Sequence, residues 1–126
     1  MEILSIKGTS QTPEVILDKE SGRFQFIGNS LPEDAKGFFE PILTWWDEYA
    51  TNPNQETTIT FRMMYYNTPS SKLFYQILKK VEQIIKEGAK AQVNWEYADD
   101  DPDMKDAGID YADNLDVPFK FIAYKA

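Results

Sequence analysis

The sequence contains no cysteine and no histidine. Without cysteine there is no disulfide, no thiol nucleophile and no thiolate ligand for a metal. A chain of this size without disulfides fits a reducing compartment. Without histidine the commonest general base near neutral pH is gone, and with it the commonest metal ligand. Ordinary zinc sites are therefore excluded. The six glycines are isolated from one another, so neither a Gly-x-Gly-x-x-Gly turn nor a P-loop is present to cradle phosphates. The longest unbroken apolar runs, Met63 to Tyr66 and Phe121 to Tyr124, fall far short of the roughly 20 residues of a membrane span. The opening Met-Glu-Ile-Leu-Ser-Ile-Lys lacks the basic-then-apolar pattern of a signal peptide. Positive charge is also scarce, with 13 basic residues against 21 acidic ones and a net charge of −8. Proteins that hold phosphate backbones or anionic lipid surfaces need the opposite balance. These absences predict a cytoplasmic protein that binds no nucleic acid and no membrane, uses no cofactor or metal, and is not an enzyme.

What is present supports one folded domain over residues 1–126. The chain is 42% hydrophobic and 14% aromatic, enough for a core at this length and too much for intrinsic disorder. No repeat, low-complexity stretch or linker divides it. Ile3 to Ile6 reads as a short strand. Pro13–Asp18 and Arg23–Ile27 read as a hairpin around the polar Asp18–Gly22. Ser30-Leu31-Pro32-Glu33 matches a capping box, with Ser30 as N-cap. The apolar recurrence from Ala35 to Tyr49 predicts a helix loosened at Pro41. Thr57–Tyr66 alternates as a strand with Ile59, Phe61, Met63 and Tyr65 on one face. Leu73, Phe74, Ile77, Leu78, Val81, Ile84 and Ile85 mark a second helix that ends at Gly88. Ala91–Tyr97 alternates again, Met104–Leu115 keeps helical spacing, and Val117–Tyr124 closes as a last strand in which Pro118 indicates an edge position or a strand start. This order predicts an α/β fold: a mixed, mostly parallel sheet of about five strands, an N-terminal hairpin and about three helices.

Three features are candidates for function. Thr68, in Tyr66-Asn67-Thr68-Pro69-Ser70-Ser71-Lys72, reads first as a helix N-cap followed by proline in the first turn. Its position in a strand-to-helix loop also suits a phosphoacceptor. A phosphate there would sit at the positive end of the helix dipole and change the surface without unfolding the domain. The segment from Glu96 to Asp116 holds a single base, Lys105. It reads as a solvated acidic helix, with a docking surface for a basic partner as the alternative. Asp99–Asp106 would support a carboxylate-based enzyme or a Ca²⁺ site, although the EF-hand spacing is missing. Trp45 and Trp46 are adjacent, so both cannot point straight into the core from one helix; they read as partly core, with one of them edging an exposed partner-binding patch as the alternative.

Taken together these residues resemble the SiaC family of bacterial regulatory phosphoproteins. The resemblance is carried by Gly8-Thr9 with Thr12-Pro13, by Gly28-Asn29-Ser30-Leu31-Pro32-Glu33, and by Tyr66-Asn67-Thr68 with Ser70 and Lys72. Val93-Asn94-Trp95-Glu96-Tyr97 and Pro118-Phe119 extend it over nearly the whole chain. It implies a STAS-like fold and a partner-switching role. Thr68 would be phosphorylated by a protein kinase and dephosphorylated by a PP2C-type phosphatase. The unphosphorylated form would bind and activate an effector such as a diguanylate cyclase, and so promote biofilm formation through cyclic di-GMP. Asn67, Pro69, Ser70, Ser71 and Lys72 would form the partner-binding loop. The family motif usually places serine directly after the threonine; Pro69 stands there instead and leaves Ser70 as a second candidate acceptor. The alternative within the same switch logic is an anti-sigma-factor antagonist that binds an ATPase-type anti-sigma factor.

Overall fold

The computed structural model describes every residue from Met1 to Ala126. The strands β1 (Leu4–Ile6), β2 (Glu14–Asp18) and β3 (Arg23–Ser30) run antiparallel, and β4 (Glu56–Tyr66), β5 (Lys90–Ala98) and β6 (Phe119–Tyr124) continue parallel to β3. Three helices make the crossovers: α1 (Ala35–Thr51), α2 (Thr68–Lys86) and α3 (Pro102–Asn114). The spatial order of the strands equals their order in sequence. Each crossover steps one strand in the same direction, so right-handedness puts all three helices on one face of the sheet.

The burial pattern follows from that topology. Two rows of side chains cross the sheet beneath the helices: Leu17–Phe24–Ile59–Val93–Phe119 and Val15–Phe26–Phe61–Trp95–Phe121. Phe26 stacks on Phe61 at 4.9 Å between ring centroids, and Phe74 of α2 meets Phe61 edge-on at 5.2 Å. The opposite, helix-free face mixes polar side chains, some of them paired with one another, with Ile16, Ile27 and Ile122. Gln25 donates to Glu14 at 2.9 Å, and the Arg62 guanidinium lies 3.9 Å from the Tyr124 ring centroid and 3.9 Å from Glu96 Oε1.

The hairpin, the three helices and the mixed sheet match the reading from sequence; the sheet has six strands rather than about five. Three local expectations are corrected, at Ser30, at the start of β6 and at Tyr65. Ser30 does not cap α1. It remains in β3, buried and paired with Tyr66, and Asp34 caps α1 by accepting from the Gly37 N–H at 3.0 Å. Pro41 lies on the exposed side of an α1 that runs on to Thr51. β6 begins at Phe119, after Val117 and Pro118. Tyr65 does not face the core. Gly28 pairs with Met63 and Asn29 with Tyr65, so Met64 is an extra residue in β4. Gly28 has φ +116°, a conformation other residues avoid. The bulge turns Met64 and Tyr65 outward, and Tyr66 takes the inward position against Phe74 and Trp95.

Candidate functional site

The β4–α2 junction is built to hold one turn of helix rigidly and to leave one hydroxyl free. β4 ends at Tyr66, and the Asn67 N–H makes the last bond to β3, donating to the Ser30 carbonyl at 3.0 Å. Asn67, with extended φ and ψ, is the N-cap of α2, and its Oδ1 accepts from the Ser70 N–H at 3.0 Å. The sequence had pointed to Thr68 as the cap. The structure moves the cap one residue back, makes Thr68 the first helical residue, and leaves its side chain exposed. Pro69 follows in the first turn, where its missing N–H costs nothing. Asn67→Ala is expected to lower stability by about 1 kcal/mol through loss of this cap, measurable as a lower urea midpoint with an unchanged m-value.

Beneath Thr68 the turn is fastened on two sides. Ser70 is fully buried. Its hydroxyl donates to the Ser30 carbonyl at 3.0 Å and lies 2.8 Å from the Ser30 hydroxyl. Ser70 is thus folded inward, with its hydroxyl bonded to Ser30 and not presented at the surface. On the other side the Tyr111 hydroxyl of α3 donates to the Ser71 carbonyl at 2.8 Å and meets the Ser71 hydroxyl at 3.0 Å. Burial pushes the phenols of both Tyr66 and Tyr111 above their ordinary range, so each remains a protonated donor. Lys72 and Pro69 are exposed, and Ser71 and Asn67 are half-buried. Of the loop residues singled out from sequence, Thr68, Pro69 and Lys72 face outward together, whereas Asn67, Ser70 and Ser71 support them from below.

The electrostatics at Thr68 follow from donor use. In the first turn Pro69 has no N–H, the Ser70 N–H is taken by the Asn67 side chain, and the Ser71 N–H bonds the Asn67 carbonyl at 2.9 Å. An anion on Thr68 would find few backbone donors, and Lys72 four residues on is the cation of its own helix face. The acidic segment does something different. Asp101 caps α3 by accepting from the Met104 N–H at 3.1 Å, and Asp99 accepts from the Ala126 N–H at 3.2 Å. No three acidic side chains converge to hold a metal ion, so Asp99–Asp106 is not the Ca²⁺ cage considered from sequence. Trp45 and Trp46 are both buried in the core. The feature that sequence reading missed is the Ser30–Ser70 pair, for which contact between residues forty apart leaves no local signal.

No helix is long and apolar enough to cross a membrane. Among proteins of known sequence, the chain is similar to an uncharacterised protein of Pseudomonas aeruginosa strain UCBPP-PA14, with 25% identity over 124 residues that cover 98% of each chain. Among solved structures it is similar to SiaC of Pseudomonas aeruginosa, with a TM-score of 0.89 and 25% identity over 98% of this chain and 100% of that one. The apo form of that protein gives a TM-score of 0.88 and 27% identity over the same shares. A crystal structure of the diguanylate cyclase SiaD in complex with its activator SiaC, also from Pseudomonas aeruginosa, gives 0.89 and 25% over 96% and 99%. The sequence model for SiaC family regulatory phosphoproteins matches residues 6–124, and the chain therefore belongs to that family, as a regulatory protein and not an enzyme.

Proposed function

We propose that this protein is a cytoplasmic, phosphorylation-controlled activator of a diguanylate cyclase, with Thr68 as its phosphoacceptor. The observation that carries this reading is the Thr68 hydroxyl, exposed at the first position of α2 on a turn whose other polar groups are already bonded. A kinase can reach it, and added charge changes the surface without breaking a contact of the fold. The solved complex of a related activator with its cyclase supports a cyclase as effector. In this reading a protein kinase adds the phosphate, a PP2C-type phosphatase removes it, and the unphosphorylated form binds. Lys72 steadies the phosphate, and Pro69 stiffens the loop that the kinase must recognise.

Phosphopeptide mass spectrometry of the protein from its host, with affinity capture by Thr68→Ala and Thr68→Asp baits, tests this. Phosphate is expected on Thr68, and Thr68→Asp should retain at least about tenfold less cyclase than Thr68→Ala, a difference of about 1.4 kcal/mol. An unmodified Thr68 in every growth state, with equal capture by both baits, rejects the reading. Capture of an ATPase-type anti-sigma factor in place of a cyclase keeps the switch and changes the effector.

A further inference from the structure

A helix start ordinarily offers an anion its free amides and the positive end of its dipole. The first turn of α2 has already committed these groups. Of the three residues after Thr68, Pro69 has no N–H, the Ser70 N–H is held by Asn67 Oδ1 at 3.0 Å, and the Ser71 N–H is held by the Asn67 carbonyl at 2.9 Å. The turn is also fixed from below. The Ser70 hydroxyl donates to the Ser30 carbonyl at 3.0 Å, and the Tyr111 hydroxyl donates to the Ser71 carbonyl at 2.8 Å. The N–H of Thr68 itself remains, but an unfolded peptide offers a phosphate that much. Lys72 stands one turn further along the helix face of Thr68. It is exposed, and its ammonium takes part in none of the ion pairs of the fold.

We propose that Asn67 and Pro69 reserve the start of α2, so that a phosphate on Thr68 is held by the Lys72 side chain and stays open to removal. This rests on the reading of Thr68 given above and adds how the phosphate is kept. Asn67 Oδ1 and the phosphate would compete for one donor, the Ser70 N–H. Asn67, the residue before the helix, is placed for that donor better than Thr68, the first residue within it. Proline at the next position withdraws a second donor altogether. A phosphate bonded to free amides would be enclosed by the helix start and would stabilise the fold, so its hydrolysis would cost backbone contacts. Held by one flexible lysine it protrudes, and the switch resets without disturbing the domain. The other ionisable groups on the segments around the turn are Glu33 after β3, Tyr65 and Tyr66 at the end of β4, Tyr75 on α2, and Asp110 and Tyr111 on α3. None of them is a cation. Asp110 lines a groove of about 530 Å³ together with Lys72 and opposes a phosphate's second ionisation. It is common to all the variants below and cancels in their differences.

The experiment is a ³¹P NMR pH titration of the full chain carrying phosphothreonine at position 68, installed by genetic code expansion and so independent of any kinase. The reference is a phosphothreonine peptide of residues 64–72, whose second ionisation lies at about pH 6. Lys72→Ala is expected to raise the midpoint of the folded chain by about 0.3, the scale of one charged pair on a helix face. Pro69→Ala and Asn67→Ala each free a backbone donor and are expected to lower it by about 0.5, the scale of an anion bonded at a helix start. Pro69→Ala keeps the cap and carries the test if circular dichroism shows that Asn67→Ala is unfolded. A non-specific alkaline phosphatase should release phosphate from Pro69→Ala about threefold more slowly than from the natural chain, the factor that the same stabilisation implies. A midpoint unmoved by Lys72→Ala overturns the lysine as the hold. A midpoint unmoved by both Pro69→Ala and Asn67→Ala, or equal rates of release, overturns the reserved helix start. Because the phosphate is installed, either failure leaves Thr68 standing as phosphoacceptor. An unmodified Thr68 in the host overturns the switch, even where the installed phosphate titrates as expected.

Discussion

Trp95→Ala is expected to lower the free energy of unfolding by about 4 kcal/mol. The indole is almost completely buried in the middle of β5 and packs against β4 and α3. Its ring lies 5.4 Å from Phe61 of β4, 6.4 Å from Tyr66 and 5.7 Å from Tyr111 of α3, between centroids. Its Nε1 donates to the Met104 carbonyl at 2.9 Å, which ties the first turns of α3 to the sheet. Alanine would leave a cavity and remove the indole's hydrogen bond to Met104, and these losses add. The same contact is tight from the helix side. A Cβ built on Gly108 would stand 2.5 Å from the Trp95 ring, so α3 can lie this close only with glycine there. Chemical denaturation checks the stability loss. Since α3 carries Tyr111, and Tyr111 fastens Ser71 beneath Thr68, Trp95→Ala should also loosen the α2 start, read as faster amide exchange at Ser70 and Ser71. A variant within about 1 kcal/mol of the natural protein would show that Trp95 does not hold α3.

The parts of this architecture that were legible in the sequence share one property: their signals repeat. Alternation along Ala91–Tyr97 and the stripe from Leu73 to Ile85 each state the same inward direction several times, so β5 and α2 could be read from composition alone. The strand-to-helix junction at Asn67–Pro69 was legible for another reason, because proline's fixed φ leaves few conformations there. Features decided by one long-range contact were not. Ser30 followed by Glu33 has the spacing of a capping box, yet the buried Ser70 hydroxyl claims Ser30 for the sheet, and Asp34 caps instead. Strict alternation put Tyr65 in the core; a single inserted residue opposite Gly28 reversed the last residues of β4. Thr68 is a good cap by residue type, but Asn67 precedes it and caps better. Each of these misses lies within a few residues of the proposed switch. There local preference is overridden: Ser30, a cap by residue type, is buried in the sheet, while Tyr65 and Thr68 stay exposed.

Acid should weaken this scaffold through one carboxylate, Glu82, whose removal is expected to cost about 2.5 kcal/mol at neutral pH. Glu82 is buried on α2. Its Oε1 accepts from Lys79 Nζ at 2.8 Å, with Lys86 Nζ at 3.6 Å, and its Oε2 accepts from the Asp116 N–H at 2.7 Å. The hydrogen bond from Lys79, followed by that from the Asp116 backbone, holds its carboxyl at about 2 against an ordinary 4.5. The folded state thus binds its proton later than the unfolded chain. The stabilisation is fully present above about pH 4.5 and is lost as pH falls towards 2. Glu82→Gln keeps the shape and removes the charge. The gap in unfolding free energy between it and the natural protein should be constant from pH 7 to 5, narrow below that, and close near pH 2. Urea titrations at each pH measure it, and other acids cancel in the difference. A gap that stays constant down to pH 2.5 would show that the ion pair does not set it. The contact matters beyond stability because Asp116 sits just after α3, so Glu82 fixes the far end of the helix whose Tyr111 holds Ser71 in the first turn of α2. Acid near pH 2, where Glu82 takes up its proton in the folded state, should therefore loosen α3 from its C-terminal end and reach Ser71 before the aromatic core opens.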